Sequence, residues 1–143
     1  MKVFGRKLVK SGTESGFEPK VIVFCCNWSL QQGAAPVGTS GSGAKTKMIQ
    51  TMCSGKVDPS FILKAFSLGV DGVMLTVCGN GDCHYLAGNY QAIRRVKLLQ
   101  NMLQQLGIEP ERLALDWAST GDGAKLQSAV NEFSDKIAAL GPV

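Results

Sequence analysis

Short β-branched apolar runs alternating with amphipathic helical stretches are the feature that most restricts how this chain can fold. Strands are expected over Lys20 to Cys26, Lys47 to Cys53, Asp71 to Val77 and Leu113 to Trp117. The first and third are apolar enough to be covered on both faces, as strands of parallel sheets are. Between the second and third lies a well-punctuated helix, with Asp58 as N-cap, Pro59 at the first helical position, Ile62, Leu63 and Phe66 as the apolar face, and Gly69 as the stop. A longer helix from Asn89 to Leu106 places Tyr90, Ile93, Val96, Leu99, Met102, Leu103 and Leu106 at helical spacing and ends at Gly107. A last one, Ala124 to Leu140, presents Leu126, Ala129, Val130, Phe133, Ile137 and Leu140. Each strand is followed by enough chain to cross over. The expectation is therefore an α/β fold: a single domain with a small, mainly parallel sheet of about four strands flanked by helices.

The cysteines fall on that framework in a telling way. Open parallel sheets bind their ligands beyond the carboxyl ends of the strands. Cys25 and Cys26 close the first strand, Cys53 the second, and Cys78 follows the third, with Cys83 five residues later in a Gly-rich turn. Three distant segments would thus bring thiols to one edge of the sheet. An odd number of cysteines, five, argues against a disulfide framework and for metal or redox chemistry. Four thiolates are the soft donor set that an iron–sulfur centre or a structural zinc requires, and the residues alone leave that choice open. Cys25, at a buried strand end, reads more simply as a small core residue, free cysteine being among the most buried types, although it remains the alternative ligand to Cys26.

Composition removes several function classes. With 143 residues, 45% hydrophobic and 18% charged, the chain can bury a core without metal staples, and its low charge density leaves room for partner surfaces. A net charge of +4 is spread along the chain without a basic stripe interleaved with aromatics, so nucleic acid is not expected as a partner. No apolar run nears the roughly 20 residues of a membrane span, and no secretory signal is evident, so a cytoplasmic location is expected. Residues 1–18, with Lys2, Arg6, Lys7 and Lys10 among Ser and Gly, read as an N-terminal arm or docking segment, and 19–143 as the α/β domain. The loop Gly38 to Thr46 imitates a phosphate-binding loop, but Ala44 separates Gly43 from Lys45 and breaks the register that such a cradle needs. His84 is expected to hydrogen-bond nearby or cap a turn, Trp28 to shield the site or fill core, Arg94 and Arg95 to form a solvated helix face, and Asp58 and Asp82 to serve caps and turns.

Several strings carry a family resemblance: Glu18-Pro19-Lys20, Phe24-Cys25-Cys26-Asn27-Trp28, Met52-Cys53-Ser54-Gly55-Lys56-Val57-Asp58-Pro59, Gly81-Asp82-Cys83-His84-Tyr85, Gly88-Asn89-Tyr90 and Gly107-Ile108-Glu109-Pro110-Glu111-Arg112. From roughly Glu18 to Leu140 the chain resembles the delta subunit of methyl-viologen-reducing hydrogenase. The resemblance implies a [2Fe–2S] protein of anaerobic metabolism, without catalysis of its own. It would relay electrons between a hydrogenase, formate dehydrogenase or similar module and a heterodisulfide-reductase-A-like flavoprotein, within a larger complex of redox subunits. It also implies Cys26, Cys53, Cys78 and Cys83 as the ligands of the iron. One departure stands out: where the family has Cys-Asn-Trp-Cys, this chain has Cys26-Asn27-Trp28-Ser29, and a serine hydroxyl is a poor replacement for thiolate around iron. Two other readings compete. One is a structural zinc-binding or docking role in the same kind of complex; the other is a thiol–disulfide protein, which Ser29 weakens by removing the Cys-x-x-Cys spacing.

Overall fold

The computed structural model describes residues 16–30, 45–79, 81–118 and 123–143. Its four strands are β1 (Lys20–Cys26), β2 (Lys45–Thr51), β3 (Gly72–Cys78) and β4 (Leu113–Ala118), and its helices are the single-turn α1 (Asn27–Leu30), α2 (Pro59–Ser67), α3 (Gly88–Gln105) and α4 (Gly123–Leu140). All strand pairings are parallel, in the order β2-β1-β3-β4. The order of the chain reverses between β1 and β3, and in open α/β sheets the crevice at such a reversal is where ligands bind.

Side-chain alternation assigns each face of the sheet to its helices. On one side Phe24, Val73, Leu75 and Val77 pack with Ile62, Ala65 and Phe66 of α2 and with Ala92, Val96, Leu99 and Leu103 of α3. On the other, Val21, Val23, Cys25 and Met74 meet Leu126, Val130, Phe133 and Ile137 of α4. The α/β expectation, the four strands and the parallel sheet are thereby met, and α2 starts where capping chemistry puts it: Asp58 accepts a hydrogen bond from the Ser60 backbone N–H at 2.8 Å. The Ser60 hydroxyl, and then this backbone N–H, hold the Asp58 carboxyl below its usual range.

Three local expectations need correction. β2 ends at Thr51, so Cys53 does not close the strand but lies beyond a bend, opening the 3-10 turn Ser54–Lys56. The inward stripe of α3 is Asn89, Ala92, Val96, Leu99 and Leu103, and Tyr90, Met102 and Leu106 are exposed. Leu140 is likewise exposed at the end of α4. The N-terminal arm to residue 15 and the glycine-rich loop at 38–43 lie outside the described residues.

The amino ends of the strands are tied together by a buried cation. Arg112, 1% exposed, donates from its guanidinium to the carbonyls of Asp71 (3.1 Å), Gly141 (2.8 Å), Pro142 (3.3 Å) and Leu140 (3.5 Å), and to Glu109 Oε2 at 2.7 Å. The Asp71 carboxylate accepts in turn from the backbone N–H of Lys20 (2.9 Å) and of Val143 (3.3 Å). The carbonyls ending α4, which no helix bond satisfies, are capped in this way.

Candidate metal centre

Adjacent residues of a strand point to opposite faces, and this separates the two neighbouring cysteines of β1. Cys25 faces α4, within the core that contains Val23 and Met74. Cys26 faces the other way and joins Cys53, Cys78 and Cys83 in a cluster of their own, all four buried. Of the expected ligands, the four drawn from the resemblance are therefore the ones that meet, and the alternative, Cys25, is directed elsewhere. β1 and β3 contribute Cys26 and Cys78 as their last residues, at the reversal of the sheet. The bend after β2 adds Cys53, and the loop before α3 adds Cys83. Among the described residues, no group of three or more His, Cys, Asp or Glu is arranged so that it could hold a metal ion as it stands.

Close packing of backbone makes the cluster possible. A Cβ on Gly88, the first residue of α3, would lie 2.2 Å from Cys53 Sγ and 3.3 Å from Cys83 Sγ; a Cβ on Gly55 would lie 2.5 Å from the Gly88 carbonyl oxygen. Only glycine permits both approaches. Arg95 fastens the same turn to α3, donating to the Gly55 carbonyl and, at 3.3 Å, to that of Val57. Buried Asn89 does the equivalent for β3, its side-chain amide donating to the carbonyls of Cys78 (3.3 Å) and Gly79 (3.2 Å). Arg95 is thus a brace and not part of a solvated face, and Asn89, Gly55 and Gly88 are site residues that helical periodicity does not single out. The Gly88-Asn89-Tyr90 string, already part of the resemblance, is the available signal.

The thiols are not electrostatically alike. Burial pushes Cys78 up to about 12, helped by Cys26, Cys83 and Cys53 beside it. Burial likewise raises Cys53, against a hydrogen bond from the Gly55 N–H. Burial acts in the same sense on Cys83, but backbone N–H groups of Asn89, Tyr85 and Gly88 and the Cys53 thiol outweigh it, so Cys83 lies below its ordinary value. A thiolate is the form that binds metal, and one is favoured where helix N–H groups converge. Cys26 donates to the Met52 carbonyl at 3.7 Å.

An aromatic group joins the segments that follow Cys26 and Cys83. Trp28 stacks on His84 with ring centroids 3.6 Å apart, and its Nε1–H donates to the Tyr85 hydroxyl at 3.4 Å. His84 and Tyr85 meet edge to face at 5.0 Å. Trp28 is 36% exposed, so it is not plain core, and His84 is a stacking partner.

Cys25 supplies a control. Burial raises its thiol to about 11 from 9.0, despite a hydrogen bond with Thr76. A thiol raised on folding stabilises fully below its unfolded value and loses that contribution as pH climbs through the folded one. The metal-free protein is expected to lose stability between pH 9.0 and about 11, and Cys25→Ala to flatten that decline in thermal melts while leaving iron binding unchanged.

Four buried thiols gathered at the reversal of a parallel sheet and braced by the start of a helix mark a small α/β protein whose ligand crevice is lined by cysteine. The sequence profile described as methyl-viologen-reducing hydrogenase, delta subunit, matches residues 21–141, and the chain belongs to that family. It is 51% identical over 128 residues to the iron-sulfur subunit of the vhc F420-non-reducing hydrogenase of Methanococcus voltae, covering 88% of this chain and 89% of that one. Identity to the iron-sulfur subunit of the F420-non-reducing hydrogenase of Archaeoglobus profundus is 43%, over 88% of this chain and 93% of the relative. A third relative differs in scale. The A subunit of the ferredoxin/F420H2-dependent CoB-CoM heterodisulfide reductase of Methanosarcina acetivorans is 35% identical over 87% of this chain, which spans only 16% of that protein. No helix among the described residues is long and apolar enough to cross a membrane.

Proposed function

We propose that this chain is an electron-transfer protein that carries a [2Fe–2S] cluster on Cys26, Cys53, Cys78 and Cys83. It passes electrons between a redox enzyme module, such as a hydrogenase or formate dehydrogenase, and a heterodisulfide-reductase-A-like flavin and iron–sulfur partner, and performs no substrate chemistry itself. The observation that carries the reading is the meeting of four buried thiols drawn from two strand ends, the bend after β2 and the loop before α3. The donor set fits: four soft sulfur ligands beside a glycine cradle that a Cβ would fill. Bound there, the cluster supplies a one-electron couple. The chain excludes water from the thiols and offsets their negative charge with the start of α3. The iron–sulfur names of the hydrogenase relatives support the cofactor class, and the heterodisulfide reductase chain that contains a similar segment supports the partner.

Anaerobically purified or reconstituted protein is expected to be brown, to contain iron and acid-labile sulfide in equal amounts, and to give an EPR signal on reduction. Colourless protein holding zinc would instead establish the structural-metal reading. Co-purification of a heterodisulfide-reductase-A-like protein with the native chain tests the partner. Trp28→Ala removes the stack on His84 and is expected to speed iron loss to a chelator by about tenfold, the scale for residues that position metal ligands.

A further inference from the structure

Large apolar side chains crowd the rim beside the four thiols. Trp28, Met52, Tyr85, Leu86 and Tyr90 are 36–85% exposed and follow or precede Cys26, Cys53 and Cys83 closely along the chain. Contacts tie these segments together. The Trp28 indole N–H donates to the Tyr85 hydroxyl and its ring stacks on His84, the Cys26 thiol donates to the Met52 carbonyl, and the Leu86 N–H donates to the Cys83 carbonyl at 3.0 Å. Resting on the partner reading above, we propose that this rim is the docking face for the heterodisulfide-reductase-A-like protein, with Leu86 as a principal contact.

Two observations set this face apart from ordinary surface. Leu86 has a φ of 67°, the left-handed region that a bulky side chain enters at a cost, and among the described residues it is the one non-glycine with a positive φ. It is also 85% exposed, so packing of its side chain within the chain does not repay that cost. Strain of this kind is kept where a group is presented to a ligand or partner. The second observation is electrostatic: residues 27–30, 51–55 and 83–90 contain no Asp, Glu, Lys or Arg, in a chain that is 18% charged. Lys56 and Asp82, immediately beside these segments, are exposed. An uncharged apolar centre bordered by charge can be desolvated without stranding an ion, and it complements a partner face that is itself apolar and uncharged. Trp28 and Tyr85, held by their bond and stack, lose little freedom on binding. Five such side chains together offer on the order of 500 Å² of apolar surface, at the upper end for a free monomer and most of the roughly 800 Å² per partner of a stable interface. The occupant is named by the relative in which a segment similar to this chain is joined, in one chain, to the rest of a heterodisulfide reductase A subunit.

The test is photo-cross-linking of the iron-loaded full chain to the A-like protein that co-purifies with it. Benzoylphenylalanine placed at Leu86 is expected to join the two chains, and the same probe at Leu68, 69% exposed at the end of α2, is expected not to. A cross-link from Leu68 in place of Leu86, or from Leu86 to a hydrogenase-like subunit or to a second copy of this chain, overturns the proposal. Leu86→Gly and Leu86→Asn both accept a positive φ, so each variant is expected to melt at or above the parent's midpoint and to keep its iron. Each is also expected to weaken binding of the A-like protein by about tenfold, the loss of one buried leucine contact. Unchanged affinity in either variant overturns the proposal while leaving the cluster and the partner intact. Failure of any A-like protein to co-purify would refute the partner reading and this face with it, and zinc in place of iron the cluster reading, so the failures are distinct.

Discussion

Gly88→Ala is expected to fold and yet hold about one-tenth of the parent's iron, the loss typical of a perturbed metal shell. The added methyl would lie 2.2 Å from Cys53 Sγ, so that thiol must rotate away from the other three. A side chain can move at little expense to the fold, and alanine is a better helix former than glycine by up to about 1 kcal/mol, so the metal-free protein should melt within a few degrees of the parent. Iron and sulfide analysis beside thermal melts of the metal-free protein separates these effects. Unchanged iron content in the variant would mean that Cys53 is not a ligand.

The second large effect belongs to the opposite end of the sheet. Arg112→Ala removes a buried guanidinium that serves the carbonyls of Asp71, Leu140, Gly141 and Pro142. Buried carbonyls left without donors cost about 1–3 kcal/mol each, and partial access of water to the chain end reduces the sum, so a net loss of about 3 kcal/mol is expected. For a domain of this size that lowers the melting midpoint by about 10 °C. Arg112→Lys keeps the charge but not the fork of donors, and should recover less than half. Iron content per folded molecule, measured well below the midpoint, should stay unchanged. Iron loss equal to that of Gly88→Ala would show that the two ends of the sheet are coupled.

Local pattern reveals most of the scaffold. β1 and β3 are marked by runs of branched apolar residues, and the Asp58-Pro59 start of α2 by capping chemistry that needs no distant contact. Strand parity, a purely local property, separates Cys25 from Cys26 once the strand is known. What local pattern misses depends on where backbone from elsewhere arrives. The inward face of α3 includes Asn89 and Ala92 because β3 and the turn after Cys53 come too close for Tyr90 to be the inward residue. Arg95 looks like any exposed helix cation until the carbonyls of Gly55 and Val57, about 40 residues earlier, are placed beside it. Cys53 reads as a strand end because Met48, Ile49 and Met52 prolong the apolar run, whereas Ile49 and Met52 are exposed and the ladder stops at Thr51. The choice of iron over zinc comes from the resemblance; that of Cys26 over Cys25 also follows from the usual burial of free cysteine, and the direction in which each thiol points bears on it.

The Arg112 tether brings the last residue, Val143, to the rim of the sheet remote from the sulfurs, with its side chain half in solvent. An immobilisation handle grafted there would hang the protein from an electrode with its thiol-bearing rim toward solution. A handle on Tyr85 or Met52 would bury that rim against the support, so voltammetry on the two orientations would show which surface electrons cross.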